Sequence, residues 1–417
     1  MNDISDIAAR VLPGGTFGNS ALSIVIAEGQ GGHVRDTEGR DYIDFLLGSG
    51  PMFLGHGHPE VLEAVLRQIP KGTTFFLNNE PGILLAEAIV EAVPCAEQVR
   101  FTSSGTEADM YAMRLARAYR RREKILKFEG GYHGMSDWAL MSLAPKRPGN
   151  FPNAVPDSPG IPRSVQGEMI VAPFNDAEMA ASLIREHESE LAGVIVEPFQ
   201  RLIPPAPGFL ESLRRITRQL DIPLIFDEVV TGFRFAYGGA QEYYGVTPDI
   251  CTLGKIIGGG FPLAAVAGRA DIMKHFDRAR AGEDGFLTQI GTLSGNPVAS
   301  AAGLASLNVL KRPGAYDGVR AMGQALMDGL TDALREYGIP GQVVGVPVLF
   351  DVVFTDGPIS DYRSVLRGDA AMAGRFNASL RAAGILKGDS KYYLSTAHTP
   401  ADIDTTIAAF RAACAAE

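Results

Sequence analysis

Thr252-Leu253-Gly254-Lys255-Ile256-Ile257-Gly258-Gly259-Gly260 is the stretch from which the rest of the chain is read. A lysine that ends an apolar run and faces a glycine-rich turn is poorly placed for solvation at the surface. It is well placed to have its amine desolvated and its pKa lowered, as Schiff-base chemistry with an aldehyde requires. Taken alone, such a lysine is more often a buried stem with a solvated head. The groups the chain supplies around it decide between the two.

Outward from Lys255, short β-rich runs alternate with helical patterns. Val99–Thr102, Lys124–Phe128, Gly193–Val196, Pro223–Phe226, Asp249–Leu253 and Ala264–Ala267 read as buried strands. Between the first two, Ala108, Tyr111, Ala112, Leu115, Ala116 and Tyr119 recur on one helical face. Glu107 opens that helix and Arg120-Arg121-Arg122 close it, both favourable to its dipole. Alternation of this kind predicts an α/β fold with a mainly parallel central sheet covered on both faces. Six prolines between Pro145 and Pro162 exclude regular structure there, and a loop of that length is expected to act as a mobile lid. Beyond Gly314 the texture changes to amphipathic helices and short strands, such as Val343–Phe354. The expected division is an N-terminal segment 1–60, a large domain 61–312 and a smaller α+β domain 313–417 that includes the N-terminal segment.

Four further features belong with the lysine. Phe101-Thr102-Ser103-Ser104-Gly105-Thr106-Glu107 is a strand, a tight turn and a helix start, where free N–H groups and hydroxyls make a site for a dianion. Ile225-Phe226-Asp227-Glu228 puts two carboxylates at the C-terminal end of an apolar strand, the edge where open α/β sheets gather ligands. No histidine or cysteine cluster accompanies them, so a proton held on a ring nitrogen is favoured over a metal. Gly130-Gly131-Tyr132-His133-Gly134 offers an aromatic face and an imidazole, and Gly291-Thr292-Leu293-Ser294-Gly295-Asn296-Pro297 a turn with a spare hydroxyl. Each element alone is unspecific. An anion cradle, a carboxylate for a ring nitrogen, an aromatic lid and an amine for an aldehyde together describe a site for pyridoxal 5′-phosphate.

Composition sets the outer bounds. At 417 residues the chain exceeds a single ordinary core. With 46% hydrophobic and 21% charged residues it reads as a soluble globular enzyme. Its net charge of −10 disfavours nucleic acid and anionic membranes as partners. Cys95, Cys251 and Cys414 share no metal-ligand spacing and fit a reducing compartment. The acidic N-terminus from Met1 to Asp6 carries no signal-like run, and no apolar stretch is long enough to span a bilayer, so a cytoplasmic protein is expected.

In the order and length of these motifs the chain resembles the class-III (ω-type) aminotransferases of fold type I, PLP-dependent transferases. In appearance it is similar to glutamate-1-semialdehyde aminomutases and β-amino-acid aminotransferases. The resemblance spans nearly the whole chain. It includes Tyr42-Ile43-Asp44-Phe45, Gly55-His56-Gly57-His58-Pro59, Ser103 to Ala108, Phe128 to Gly134, Glu197-Pro198, Asp227 to Arg234, Thr252 to Gly260 and Gly291 to Pro297. It implies that Lys255 bonds covalently to the cofactor aldehyde and then moves the substrate proton. It implies that Asp227 pairs with the ring nitrogen, Val229 and Tyr132 cover the two ring faces, and Ser104, Gly105 and Thr106 hold the phosphate. His133 and Glu197 would complete the cofactor set, Glu197 near the ring's 3′-oxygen. Thr292 would reach the phosphate of a neighbouring subunit, so a homodimer with shared sites is implied. The substrates would be a small amine or amino acid and a keto acid.

Three departures bear on the reaction. Gly14 to Ser23 lacks the arginine with which the mutases hold a substrate carboxylate, and neutral residues do not replace a guanidinium. Gly48-Ser49-Gly50-Pro51-Met52 lacks their tryptophan, which is expected to leave space near the cofactor. Lys387 to Tyr393 is shorter than the mutase counterpart. These features favour an aminotransferase over a 2,1-aminomutase, and the intact Lys255, Asp227 and Ser104-Gly105-Thr106 set favours either over a catalytically silent relative. Arg201 and Lys387 are the candidates for meeting a substrate carboxylate.

Overall fold

A computed structural model describes residues 4–417; Met1–Asp3 of the acidic N-terminus lie outside the described residues. Among the described residues, fourteen strands follow in chain order. They are β1 Ile26–Gln30, β2 His33–Asp36, β3 Asp41–Asp44, β4 Gln98–Thr102, β5 Lys124–Phe128, β6 Met169–Ala172, β7 Leu191–Val196, β8 Leu224–Glu228, β9 Ile250–Leu253, β10 Ala264–Gly268, β11 Gln342–Val346, β12 Leu349–Val353, β13 Ile385–Leu386 and β14 Tyr392–Tyr393.

The central sheet has the order β4-β10-β9-β8-β7-β5-β6. Its pairs from β9 to β6 are all parallel, while β10 runs antiparallel to both β4 and β9. The expected mainly parallel sheet is present. Its strands read as unbroken apolar runs because both faces are covered and successive residues point to opposite sides. Ile125, Ile195, Ile225 and Ile250 pack with Ala112, Leu115 and Ala116 of helix Gly105–Arg120. Leu126, Val194, Phe226 and Cys251 enter the larger core on the other face. β6 was not anticipated. It is a four-residue run that follows the short helix Arg163–Gln166 beyond the proline-rich loop, and it becomes a strand by lying along β5.

That loop is irregular, as its prolines require, but it is anchored at its middle. Val171 N–H donates to Pro152 O at 3.0 Å and Ser142 N–H to Val155 O at 2.6 Å. Tyr362 and Arg363 also bind it, through Pro145 O and Gly149 O.

The two ends of the chain share a sheet, β1-β2-β3-β13, in which β13 pairs parallel with β3. A third sheet, β11-β12-β14, follows the long helix Asp317–Tyr337. Tyr393 N–H donates to Phe45 O at 2.9 Å and joins these two sheets. No helix among the described residues is long and apolar enough to cross a membrane.

Candidate active site

The C-terminal ends of β5, β7, β8 and β9 meet at one edge of the sheet. Asp227 pairs in register with Thr252, so Lys255, three residues beyond, arrives beside it. Val229 joins this corner to the helix that follows β4. A Cβ added at Gly105 would lie 3.0 Å from the Val229 side chain, and one at Gly254 would lie 3.1 Å from it. The valine is therefore wedged between two backbones that only glycine lets approach so closely.

Ser104 caps helix Gly105–Arg120 in a capping box with Glu107. Its hydroxyl accepts from Glu107 N–H at 3.2 Å, and the Glu107 carboxylate accepts from Ser103 and Ser104 N–H. Such a cap is worth about 1 kcal/mol to the helix. It leaves the Gly105 and Thr106 amides, among the described residues, without a partner at the positive end of the helix dipole. Thr106 Oγ1 accepts from Met135 N–H at 3.2 Å, so its own hydrogen remains to be donated.

Asp227 is buried and accepts from Val229 N–H at 3.1 Å, while its Oδ2 lies 2.8 Å from His133 Nδ1. His133 is buried too, and its Nε2 has no partner among the described residues. Glu197, one residue past β7, accepts from Tyr132 N–H at 2.8 Å. Burial first, then Asp227, raises its carboxyl above the usual range. The loop carrying Tyr132 and His133 is clamped from beneath. Lys127 Nζ, fully buried, donates to Gly131 O at 3.1 Å and Ala139 O at 2.8 Å, and burial lowers its amine to about 7. Above the loop, the Arg201 guanidinium stands 5.4 Å from the Tyr132 ring centre and pairs with no carboxylate among the described residues.

Lys255 has φ 50°, a left-handed backbone that costs a lysine roughly 1–3 kcal/mol. Burial lowers its amine below the ordinary lysine value. Tyr393 is the next influence on that amine. Burial pushes the Tyr393 phenol up, but Lys391, Lys255 and Arg234 together outweigh it and bring it down. The Tyr393 ring covers Gly50: a Cβ at that glycine would fall 2.9 Å from Tyr393 Cε1. The space expected where mutases keep a tryptophan is thus partly filled by a ring delivered from the C-terminal segment.

Ser104, Gly105, Thr106, Tyr132, His133, Glu197, Asp227, Val229 and Lys255 all converge on this edge. Thr292 does not. It is exposed in a separate cleft between Thr74–Asn79 and Gln289–Asn296. Glu228 points away from the edge, accepting from Thr231 Oγ1 at 2.9 Å and Gln241 N–H at 3.3 Å, with burial raising it to about 6. Lys387 is withdrawn as a carboxylate ligand: it is buried, 2.9 Å from Asp351 and bonded to Asn377. Asp109, Thr252 and Tyr393 were not singled out from the sequence. Asp109 carried a readable signal, since Ala112, Met113 and Ala116 follow it at helical spacing on the buried face.

Residues 16–386 match the sequence profile described as Aminotransferase class-III. A glutamate-1-semialdehyde 2,1-aminomutase from Methanothermobacter thermautotrophicus is 43% identical over 412 residues, covering 96% of each chain. The crystal structure of an omega-transaminase from Sphaerobacter thermophilus superposes with a TM-score of 0.94 at 40% identity, covering 99% of this chain and 96% of that one. A transaminase with PLP bound gives 0.90 at 33% identity, covering 99% and 96%.

The residues present fit that cofactor. Two free amides and a hydroxyl at a helix N-terminus suit its phosphate, a buried acid suits its ring nitrogen, and a desolvated amine suits its aldehyde. The chain belongs to the class-III aminotransferases, enzymes that work with pyridoxal 5′-phosphate.

Proposed function

We propose that the protein is an aminotransferase that moves an amino group from a carboxylate-bearing amine, a β- or ω-amino acid, to a keto acid in two half-reactions. When bound, pyridoxal phosphate supplies an aldehyde for the amine and a ring that takes up electrons from the substrate carbon. Gly105, Thr106 and the Ser104 turn would hold its phosphate. Asp227, steadied by His133, would hold the proton on its ring nitrogen, with Val229 and Tyr132 on the ring faces and Glu197 beside them. Lys255 would take the proton from the substrate carbon as a base and return it as an acid, a role that its lowered amine favours.

Arg201 carries the choice of substrate. A half-buried guanidinium over Tyr132 with no acid of its own is ready for a bidentate carboxylate. Arg201→Ala should raise KM for a β- or ω-amino acid about 10–100-fold, the worth of a charge-assisted hydrogen bond or two. It should leave KM for an amine without a carboxylate unchanged. Equal KM for the amino acid before and after the substitution would refute the assignment.

The 43% relative named as an aminomutase favours a second reading, transfer between adjacent carbons of one substrate. A single-turnover experiment with donor alone separates the two. An aminotransferase loses the visible aldehyde band and stalls until a keto acid is added; a mutase recovers the band unaided.

Shared sites in a homodimer belong to the same proposal. Leu62, Leu66, Phe75, Phe76, Leu77 and Ile290 leave large apolar side chains exposed, and Thr292 lines the cleft beside several of them.

A further inference from the structure

Asp109 lies on helix Gly105–Arg120, one turn beyond the anion cradle, beneath the edge where Asp227 and Lys255 meet. It is 2% exposed. Its carboxyl meets the Thr252 hydroxyl at 2.6 Å from Oδ1, and the Asp227 carboxyl lies beside it. The same hydroxyl lies 3.4 Å from Asp227 Oδ1. Strand register fixes this meeting, because Thr252 is the residue paired with Asp227 across β8 and β9.

Two carboxyls therefore converge on one hydroxyl that owns a single hydrogen. The groups facing them provide no neutralising cation for Asp109. His133 Nδ1 is committed to Asp227 Oδ2. Lys127 donates to Gly131 O and Ala139 O, and Glu197 adds a third acid. From the strands and the helix itself come Ala112, Met113, Ile225 and Ile250, all apolar. Two like charges across one hydroxyl in such surroundings cannot both persist; one carboxyl keeps its proton.

We propose that Asp109 is the one that keeps it, and that it serves as a positioning residue for Asp227. The Asp109 O–H donates to Thr252 Oγ1, and the Thr252 O–H donates to Asp227 Oδ1. This chain runs one way and leaves Asp227 as the acceptor at its end. No bond other than hydrogen bonds is made, and no charge is added next to Asp227. Burial, then Asp227 itself, raises the Asp109 carboxyl well above its ordinary range, in agreement with the geometry. The consequence for the cofactor rests on the reading of Asp227 as the ring-nitrogen partner; the protonation of Asp109 does not.

The test uses the full chain, with and without cofactor. Infrared difference spectra, wild type minus Asp109→Asn at neutral pH, should contain the carbonyl band of a protonated carboxyl. A difference spectrum with carboxylate bands alone overturns the proposal, whatever reaction the enzyme catalyses. In the holoenzyme, Asp109→Asn keeps a neutral donor in place. It should leave the pH midpoint of the visible cofactor band unmoved, whereas Asp109→Leu, which cuts the chain, should shift it. A tenfold or larger change in proton affinity for the asparagine variant would mean that a charge had been removed, and would also overturn the proposal. Should the leucine variant fail to fold, the infrared measurement on the asparagine variant still decides.

Discussion

Gly134 lies so close against Thr106 that a Cβ on the glycine would fall 2.5 Å from the threonine Cα, and Gly134 has φ 82°. The Tyr132–His133 loop and the phosphate cradle are thereby held against each other by a contact that no other residue permits. Gly134→Ala should push the loop off the helix start and weaken cofactor binding at least tenfold. Fluorescence titration of the cofactor-free protein with pyridoxal phosphate measures it.

His133 gives Asp227 Oδ2 its partner at 2.8 Å, inside a site with little water to take its place. Removing a partner from a buried charged group costs roughly 1.5–3 kcal/mol. His133→Ala should therefore lose cofactor about 10–100-fold faster on dialysis, while the far-UV circular dichroism stays unchanged.

His398 sets an acid limit on stability. Its ring stacks on Phe45 with centroids 4.5 Å apart, and its Nδ1 accepts from Ser395 N–H, an arrangement that suits the neutral imidazole. Burial lowers it to about 4 from an ordinary value of 6.5. Because the folded value is depressed, the unfolded chain binds the extra proton first. The contribution is complete above pH 6.5 and is lost as the pH falls towards 4. The loss amounts to about 3 kcal/mol at most. His398→Asn should flatten this part of the urea-denaturation profile relative to wild type.

Phe76 and Leu77 expose 67% and 79% of their surface next to the Thr292 cleft. On the proposed homodimer, wild type should sediment as a dimer and a Phe76→Asp, Leu77→Asp double variant as a monomer. The loss of activity should follow the monomer fraction.

Tyr393 stands over Gly50 beside Lys255. Tyr393→Ala should open that wall and lower KM for amines with a bulky substituent. A competition assay between a small and a bulky donor reads the change as a shift in the ratio of kcat/KM.

Much of this was legible because parallel strands buried on both faces leave unbroken apolar runs. Asp227 and Lys255 could be brought together from such runs alone, since both end neighbouring strands at one edge. The partners of the site residues were harder to read. Nothing around His133 announces that its ring turns inward to an acid 94 positions away. Lys387 is held by Asp351, and the Tyr393 ring stands over Gly50, neither of which the local sequence announces. These are pairings across distant segments, and no local period encodes them.

The pairing of β13 with β3 has a consequence for how the protein comes into being. Ile385 and Leu386 complete the N-terminal sheet by pairing with Ile43 and Asp44, and Tyr393 bonds to Phe45 just beyond that strand. Contacts this distant in sequence form late. Until this pairing forms, Lys255 lacks the Tyr393 ring that stands beside it.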